Sequence, residues 1–427
     1  MTAIALLNAE TDPHIVADTL LSVDGEDPRK IKKIWLPALG DVQSQWGEGG
    51  DRWHISRLAR KTFVLPNNSG VLAFAGSCTP AIHFLDNLSE AFRNKYQYDE
   101  CARVDKELID RVLKHSPRAG EFWLLGVLID ASGHRTPYTH NSVKRIDTQF
   151  FGVCYAAGSG AELVGQLIER EDHRLQGVKT ASGAALWRTT EYLAESISCE
   201  MLYRESDYLN GLAVNSPISV GCGGFYEWYK VLPQGVKPMK SRVDIHVSLL
   251  DKQKLVITRI YFCEQMQNPK LRLVDSALPS QDYYLSIFNL GLKPCEIPME
   301  MELTEWMTIV PEETVGVLVR SFFNSDGIEV GATARQLSAS VSPKSAKHLF
   351  GEPLDVARVR LIVYSGGVAT LSAVTSSAGE LPSARVLEVN GRVALALNQT
   401  TITALLEAAS RLSNINDECV DTDKAAV

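Results

Sequence analysis

The sequence predicts an α+β protein: two β-sheets stacked between two layers of helices, an αββα sandwich of four layers, followed by a smaller β-rich domain. Three observations lead there. Apolar runs of strand length, such as Val71–Ala75 and Phe122–Ile129, are bounded by turn-forming residues. Elsewhere the spacing is helical, as for Ala81, Leu85, Leu88 and Phe92. The segments follow one another as strands, two helices, strands, two helices, strands, and stacked sheets of this kind need their outer faces covered.

With 427 residues the chain is long enough for two or three domains, each with its own core. Hydrophobic and charged contents of 45% and 22% are those of a soluble globular protein, and the formal charge of −8 argues against general nucleic-acid binding. Eight scattered cysteines, none in a CxxC pair, suit reduced thiols in a cytosolic protein better than a disulfide frame or a zinc site. The start lacks a basic, long-apolar leader, and the longest apolar run, Phe122–Ile129, is far short of a membrane span. A cytoplasmic protein with no cofactor and no metal is expected.

Taken in order, residues 3–7 and 15–17 read as a β-hairpin about the polar turn Asn8–Pro13, with Thr2 at its mouth and Asp18 at the end of the return strand. Residues 19–60 hold Trp35, Trp46 and Trp53 around Gly47–Gly50 and read as a loop pinned by its own aromatics or packed against a cleft or a neighbouring subunit. A strand at 61–65, a turn at 66–70 and a return strand at 71–75 follow. Thr79 and Pro80 suit the N-cap and first position of a helix, and a charged helical stretch is expected over 98–116. A buried strand at 122–129, a turn at Ser132–His134 and a strand at 150–155 precede Gly158-Ser159-Gly160, which opens a helix near Ala161. A helix over 188–205 closes at Asp207–Gly211, and strands are expected at 218–232, 242–250 and 255–263.

His134 and His140 lack a third ligand nearby and read as surface residues of a turn. Gly221-Cys222-Gly223-Gly224 lacks the helix that a phosphate loop requires and reads as a bulge or a close backbone contact. The tail is β-rich, with strands near 315–322, 329–340, 356–364 and 368–374. An Asn390-Gly391 hairpin and an amphipathic helix through Ile402 and Leu412 complete it.

These residues carry a family likeness. Residues 2 to about 232, possibly to 263, resemble the N-terminal-nucleophile hydrolases, with proteasome β-subunits and the bacterial HslV-type peptidase as the nearest look-alikes. Asp18 stands 16 residues after Thr2, the family's offset between nucleophile and active-site aspartate. Leu72–Ser77 looks like the family's strand-to-helix turn, and Lys61, 15 residues before Gly76, is spaced like its active-site lysine. Gly158-Ser159-Gly160 matches its Gly-Ser-Gly turn, and Asp207 and Asn210 stand where it has an aspartate and a serine. The departures are Ala73 for a second glycine, Asn210 for the serine, and the longer segment at about 19–60, which offers Lys33 as a rival lysine. The likeness places an N-terminal-nucleophile domain at 2–263 with an insertion at about 19–60. A β-rich domain at 264–413 and a disordered acidic tail at 414–427 follow from the remaining sequence.

What the resemblance implies is a threonine peptidase acting through an acyl-enzyme. Removal of Met1 would leave Thr2 with both a hydroxyl nucleophile and an α-amine, whose ordinary pKa of roughly 7.7–8.0 suits a general base. Lys61 would hold charge beside the hydroxyl, Asp18 would orient Lys61, and the Gly76 amide would hold the oxyanion. Ser159, Asp207 and Asn210 would orient the amine and a water. A peptide or unfolded-protein substrate, a homo-oligomeric ring and an ATP-dependent unfoldase partner are also expected. A small-molecule amidase on the same fold and a non-catalytic ring subunit are the alternatives.

Overall fold

The fold, obtained as a computed structural model, describes residues 2–28, 33–36, 40–47, 50, 52–58, 60–176, 189–207, 216–250, 254–268, 282–289, 295–296, 306–310, 315–321, 332–336, 354–356, 358–365, 368–376, 382–403 and 407. It is a mixed helix-and-sheet protein of two compact units, the first chiefly Met1–Met239 and the second beginning at Lys240.

The first unit starts with the expected hairpin. Strands β1 (Ile4–Leu7) and β2 (His14–Asp18) pair antiparallel, with Ile4 opposite Ala17 and Leu7 opposite His14. Every residue of both strands is buried, so their sequences run apolar instead of alternating with polar residues. Asn8 turns the chain at φ +45°, a left-handed position that asparagine tolerates.

The segment at 19–60 is more regular than a loop. Its described residues form β3 (Leu20–Asp24), β4 (Lys33–Leu36), β5 (Gly40–Gln43), β6 (Gln45–Trp46) and β7 (Trp53–Leu58), as a β3-β7-β6 sheet and a β4-β5 hairpin. Trp46 and Trp53 stack with ring centroids 5.8 Å apart, so these aromatics hold the sheet itself together.

Strands β8 (Thr62–Leu65), β9 (Gly70–Gly76), β10 (Phe122–Ile129) and β11 (Arg135–His140) form a four-stranded sheet in the order β11-β10-β9-β8. Strands β12 (Lys144–Asp147), β13 (Val153–Ala157), β14 (Tyr226–Leu232) and β15 (Gly235–Pro238) join β1 and β2 in a six-stranded sheet, β12-β13-β1-β2-β14-β15. The parity of β9 shows how the two sheets meet. Val71, Ala73 and Ala75 pack with Leu125, Val127 and Ile129 against Ile4, Leu6, Ile15 and Ala17 of the other sheet. Leu72 and Phe74 point the opposite way, onto helices α1 (Cys78–Tyr96) and α2 (Lys106–His115). There Phe84, Leu85, Leu88 and Phe92 are 0–1% exposed, each contributing about 1.5–3 kcal/mol by burial. Helices α3 (Ala161–Gln176) and α4 (Thr190–Asp207) lie against the six-stranded sheet, α3 on β12, β13 and β1, α4 on β2 and β14.

Several boundaries differ from the sequence reading. The N-cap of α1 is Ser77, not Thr79, because β9 ends at Gly76 with φ +93° and turns the chain two residues earlier. The helix expected over 98–116 is confined to Lys106–His115, where Asp105 caps it by accepting from the Leu108 amide at 2.8 Å. The strand expected at 150–155 is Val153–Ala157, and that expected at 218–232 begins only at Tyr226, after a 3-10 turn at Pro217–Val220. His140 ends an unforeseen edge strand, β11, where Pro137 is tolerated because no further strand in that sheet needs its missing amide.

β16 (Arg242–Leu250) pairs antiparallel with β17 (Lys254–Asn268) and parallel with Arg358–Ser365, and Lys240–Gln265 belong to the second unit. The Asn390-Gly391 turn is present, with both residues at positive φ between strands Ala384–Val389 and Arg392–Asn398. Of the terminal helix, 399–403 and 407 are helical, and the expected tail at 414–427 lies outside the described residues.

Candidate active site

Asp18 is the last residue of β2, and its carboxylate folds back onto the start of the chain. Oδ1 accepts from the Ala3 amide at 2.9 Å and from Lys61 Nζ at 2.7 Å; Oδ2 accepts from the Gly223 amide at 2.9 Å. Lys61, just before β8, also donates to the Leu20 carbonyl at 2.6 Å. Both charged side chains are 0% exposed. An ion pair so buried loses hydration on both sides, and it persists only where its remaining hydrogen-bonding capacity is met. Backbone groups of Ala3, Leu20 and Gly223 meet it here. Lys33, the rival lysine, stands exposed on β4.

Thr2 is 1% exposed and is held at both ends of its backbone by the turn between β13 and α3. Its nitrogen donates to Ser159 Oγ at 3.0 Å, and its carbonyl accepts from the Gly160 amide at 3.0 Å. Ser159 Oγ passes its own hydrogen to the Val220 carbonyl at 2.6 Å. Gly158, at φ +91°, comes so close that a Cβ there would sit 2.1 Å from the Thr2 carbonyl oxygen and 3.2 Å from the Ala75 methyl. The end of β9 is thereby set beside Thr2. Gly76 follows at φ +93°, where a side chain would strike the Glu121 carbonyl and the Trp123 ring. Two hydrogen-bonded pairs, Thr2 with Ser159 and Asp18 with Lys61, thus meet at the start of the chain through the Ala3 amide, with Gly76 one residue beyond Ala75. Asp207 ends α4 but its side chain is not among those described, and Asn210 lies outside the described residues.

Other residues of the site escaped the sequence reading. Glu205, near the end of α4, is 0% exposed, and its carboxyl oxygens accept from the Gly224 amide at 3.0 and 3.3 Å. Burial pushes its pKa up to about 8; the Gly224 hydrogen bond works against that rise and the charge on Asp18 adds to it. The Gly221–Gly224 stretch is the close backbone contact its composition suggested, and what it approaches is a pair of carboxyl groups. Alongside, Arg60 Nε donates to Glu227 Oε2 at 2.7 Å and Thr62 Oγ1 bonds Glu227 Oε1, so the residues flanking Lys61 are themselves anchored to β14. Burial raises the Cys222 thiol and the Tyr226 hydroxyl well above their ordinary pKa values, which keeps both neutral near neutrality.

Among the described residues, no three His, Cys, Asp or Glu side chains are grouped to hold a metal ion, and no helix is long and apolar enough to cross a membrane. Compared with known proteins, the chain matches no protein-family model and no curated protein.

Proposed function

We propose that this chain is a threonine-type N-terminal-nucleophile hydrolase that cleaves peptide bonds, built on the four-layer αββα sandwich of that class. The observation that carries the proposal is the shared carboxylate of Asp18, which holds the Ala3 amide on one side and Lys61 Nζ on the other. It reaches a buried ammonium 43 positions away in sequence and links it to the residue next to Thr2. The helices packed on the outer faces of two apposed sheets further support it.

In this reading the Thr2 hydroxyl attacks the amide carbonyl while its own α-amine, oriented by Ser159, takes the proton and returns it to the leaving amine. Lys61 supplies positive charge to the developing alkoxide, and Asp18 fixes Lys61 in place. Gly76 offers its amide to the tetrahedral oxyanion, a role worth roughly 10²–10³ in rate where such a donor is lost. Water then releases the acyl group. Assembly as a homo-oligomeric ring, with an unfoldase delivering the substrate in the cytoplasm, belongs to the same proposal.

The reading requires that Met1 be absent from the active protein. Intact mass of the purified chain, measured before and after reaction with a threonine-directed electrophile, tests both points. One adduct on a chain lacking Met1, mapped to Thr2, is expected. Full hydrolytic activity in protein that retains Met1 would exclude the amine as base.

A further inference from the structure

We propose that Glu205 is a positioning residue for Asp18: as a neutral acid it clamps the Gly223–Gly224 turn, and its ionisation loosens that clamp. The inference rests on the proposed function only for its catalytic consequence. Consecutive amides of one turn serve two carboxyl groups, Gly223 N–H going to Asp18 Oδ2 at 2.9 Å and Gly224 N–H to Glu205 at 3.0 Å. Whatever moves Gly224 therefore moves the donor that Asp18 uses.

The turn has little slack. A Cβ on Gly223 would lie 2.5 Å from Glu205 Oε2, and one on Gly224 would meet Leu58 and the Thr19 hydroxyl at 2.6 and 2.7 Å. Both glycines have positive φ, +142° and +85°, so the turn's shape also depends on their lacking side chains.

The two acids differ in what they are given. Among the described residues, Asp18 receives an ammonium and two amides, whereas Glu205 receives the Gly224 amide. The titratable groups facing Glu205 are Asp18 from β2, and Cys222 and Tyr226 from the turn and the start of β14. Lys61, the cation of this cluster, is hydrogen-bonded to Asp18. A fully buried carboxyl with one neutral donor and an anion as neighbour is favoured in its protonated form. Losing that proton leaves a buried, unhydrated charge with the charge of Asp18 as a further penalty, and opening of the turn relieves both.

Amide hydrogen exchange over residues 221–226 of the full chain, corrected for intrinsic rates and followed from about pH 6 to about pH 9, tests this. Wild-type protection is expected to fall by up to about a hundredfold between about pH 6 and about pH 8, below the raised Glu205 pKa, and to level off above it. Glu205→Gln, which retains an uncharged acceptor, is expected to keep its protection flat, while Glu205→Ala loses protection throughout. A Glu205→Gln protein showing the wild-type pH dependence overturns the proposal, even where the alanine variant fails to fold. Hydrolysis followed in parallel separates the two readings. A rate that tracks protection, with kcat changing and KM not, supports both. The expected exchange pattern in a chain that cleaves no amide keeps the clamp and removes the proposed activity alone.

Discussion

Lys61 Nζ lies 2.7 Å from Asp18 Oδ1 with both side chains fully buried, and each also bonds the backbone of a different segment. Breaking such a pair from one side strands a charge. Lys61→Met and Asp18→Asn are each expected to destabilise the first unit by about 3–5 kcal/mol, and the double variant by clearly less than their sum. Chemical denaturation of the three proteins measures the coupling. Lys33→Ala, at an exposed position, is expected to change neither stability nor labelling of Thr2. Loss of labelling confined to that variant would move the catalytic lysine to residue 33.

On the proposed mechanism, Thr2→Ala should abolish hydrolysis while leaving the fold and any assembly intact. Alanine still permits removal of Met1 and still presents an α-amine, so the base survives without the nucleophile. Thr2→Ser should keep part of the rate, since the hydroxyl remains. Peptide turnover measured together with particle size checks this, because activity lost through failed assembly would carry no information on the hydroxyl.

Gly158 and Gly25 form a matched pair, with φ of +91° and +93°. A methyl at Gly25 meets nothing within 4 Å, whereas at Gly158 it would lie 2.1 Å from the Thr2 carbonyl oxygen. Gly25→Ala is expected to cost about 1 kcal/mol in backbone strain alone. Gly158→Ala should cost at least about 2 kcal/mol more, because the Thr2 carbonyl must move. Equal losses in thermal melts of the two variants would refute the close approach.

His14 supplies a pH test. Its Nδ1 bonds the Asp12 carbonyl at 2.8 Å, and burial, the largest influence, holds its pKa below the ordinary 6.5. The unfolded chain therefore takes up a proton near pH 6.5 that the folded chain refuses until lower pH. Stability from this group is present above about pH 6.5 and is lost as the pH falls toward its depressed folded pKa. His14→Phe should melt with a weaker decline between about pH 7 and pH 5 than wild type. The comparison is of slopes, since losing the Asp12 hydrogen bond shifts both ends alike. Parallel slopes would show that folding leaves the proton affinity of His14 unchanged.

Much of the site was legible because its parts announce themselves locally. The 4–7 and 14–18 strands are apolar runs around a turn, Asp18 stands at the end of one of them, and Gly158-Ser159-Gly160 sits where a strand gives way to a helix. What could not be read were contacts whose meaning lies in another segment. Glu205 looks like one more acid on a helix, and only packing against Gly223 and Gly224 makes it a buried carboxyl. The β11 strand was missed because an edge strand with one wet face reads Arg-Thr-Pro-Tyr-Thr-His, a polar sequence with a proline. The early start of α1 depends on Gly76 turning against Glu121 and Trp123, forty-odd residues onward, which helix-capping preferences at Thr79 could not reveal.

The place of β1 in its sheet also sets an order of events during synthesis. β1 lies between β2 and β13, and Ile4 pairs with Ala157, so that side of the strand stays open until about 150 further residues have been made. At about 5–20 residues per second this takes roughly 8–30 s, during which the Thr2 backbone is not yet held by the Gly158–Gly160 turn. Once the Gly158–Gly160 turn closes over Thr2, that residue is 1% exposed. The proposed mechanism therefore requires that Met1 be gone before this turn closes.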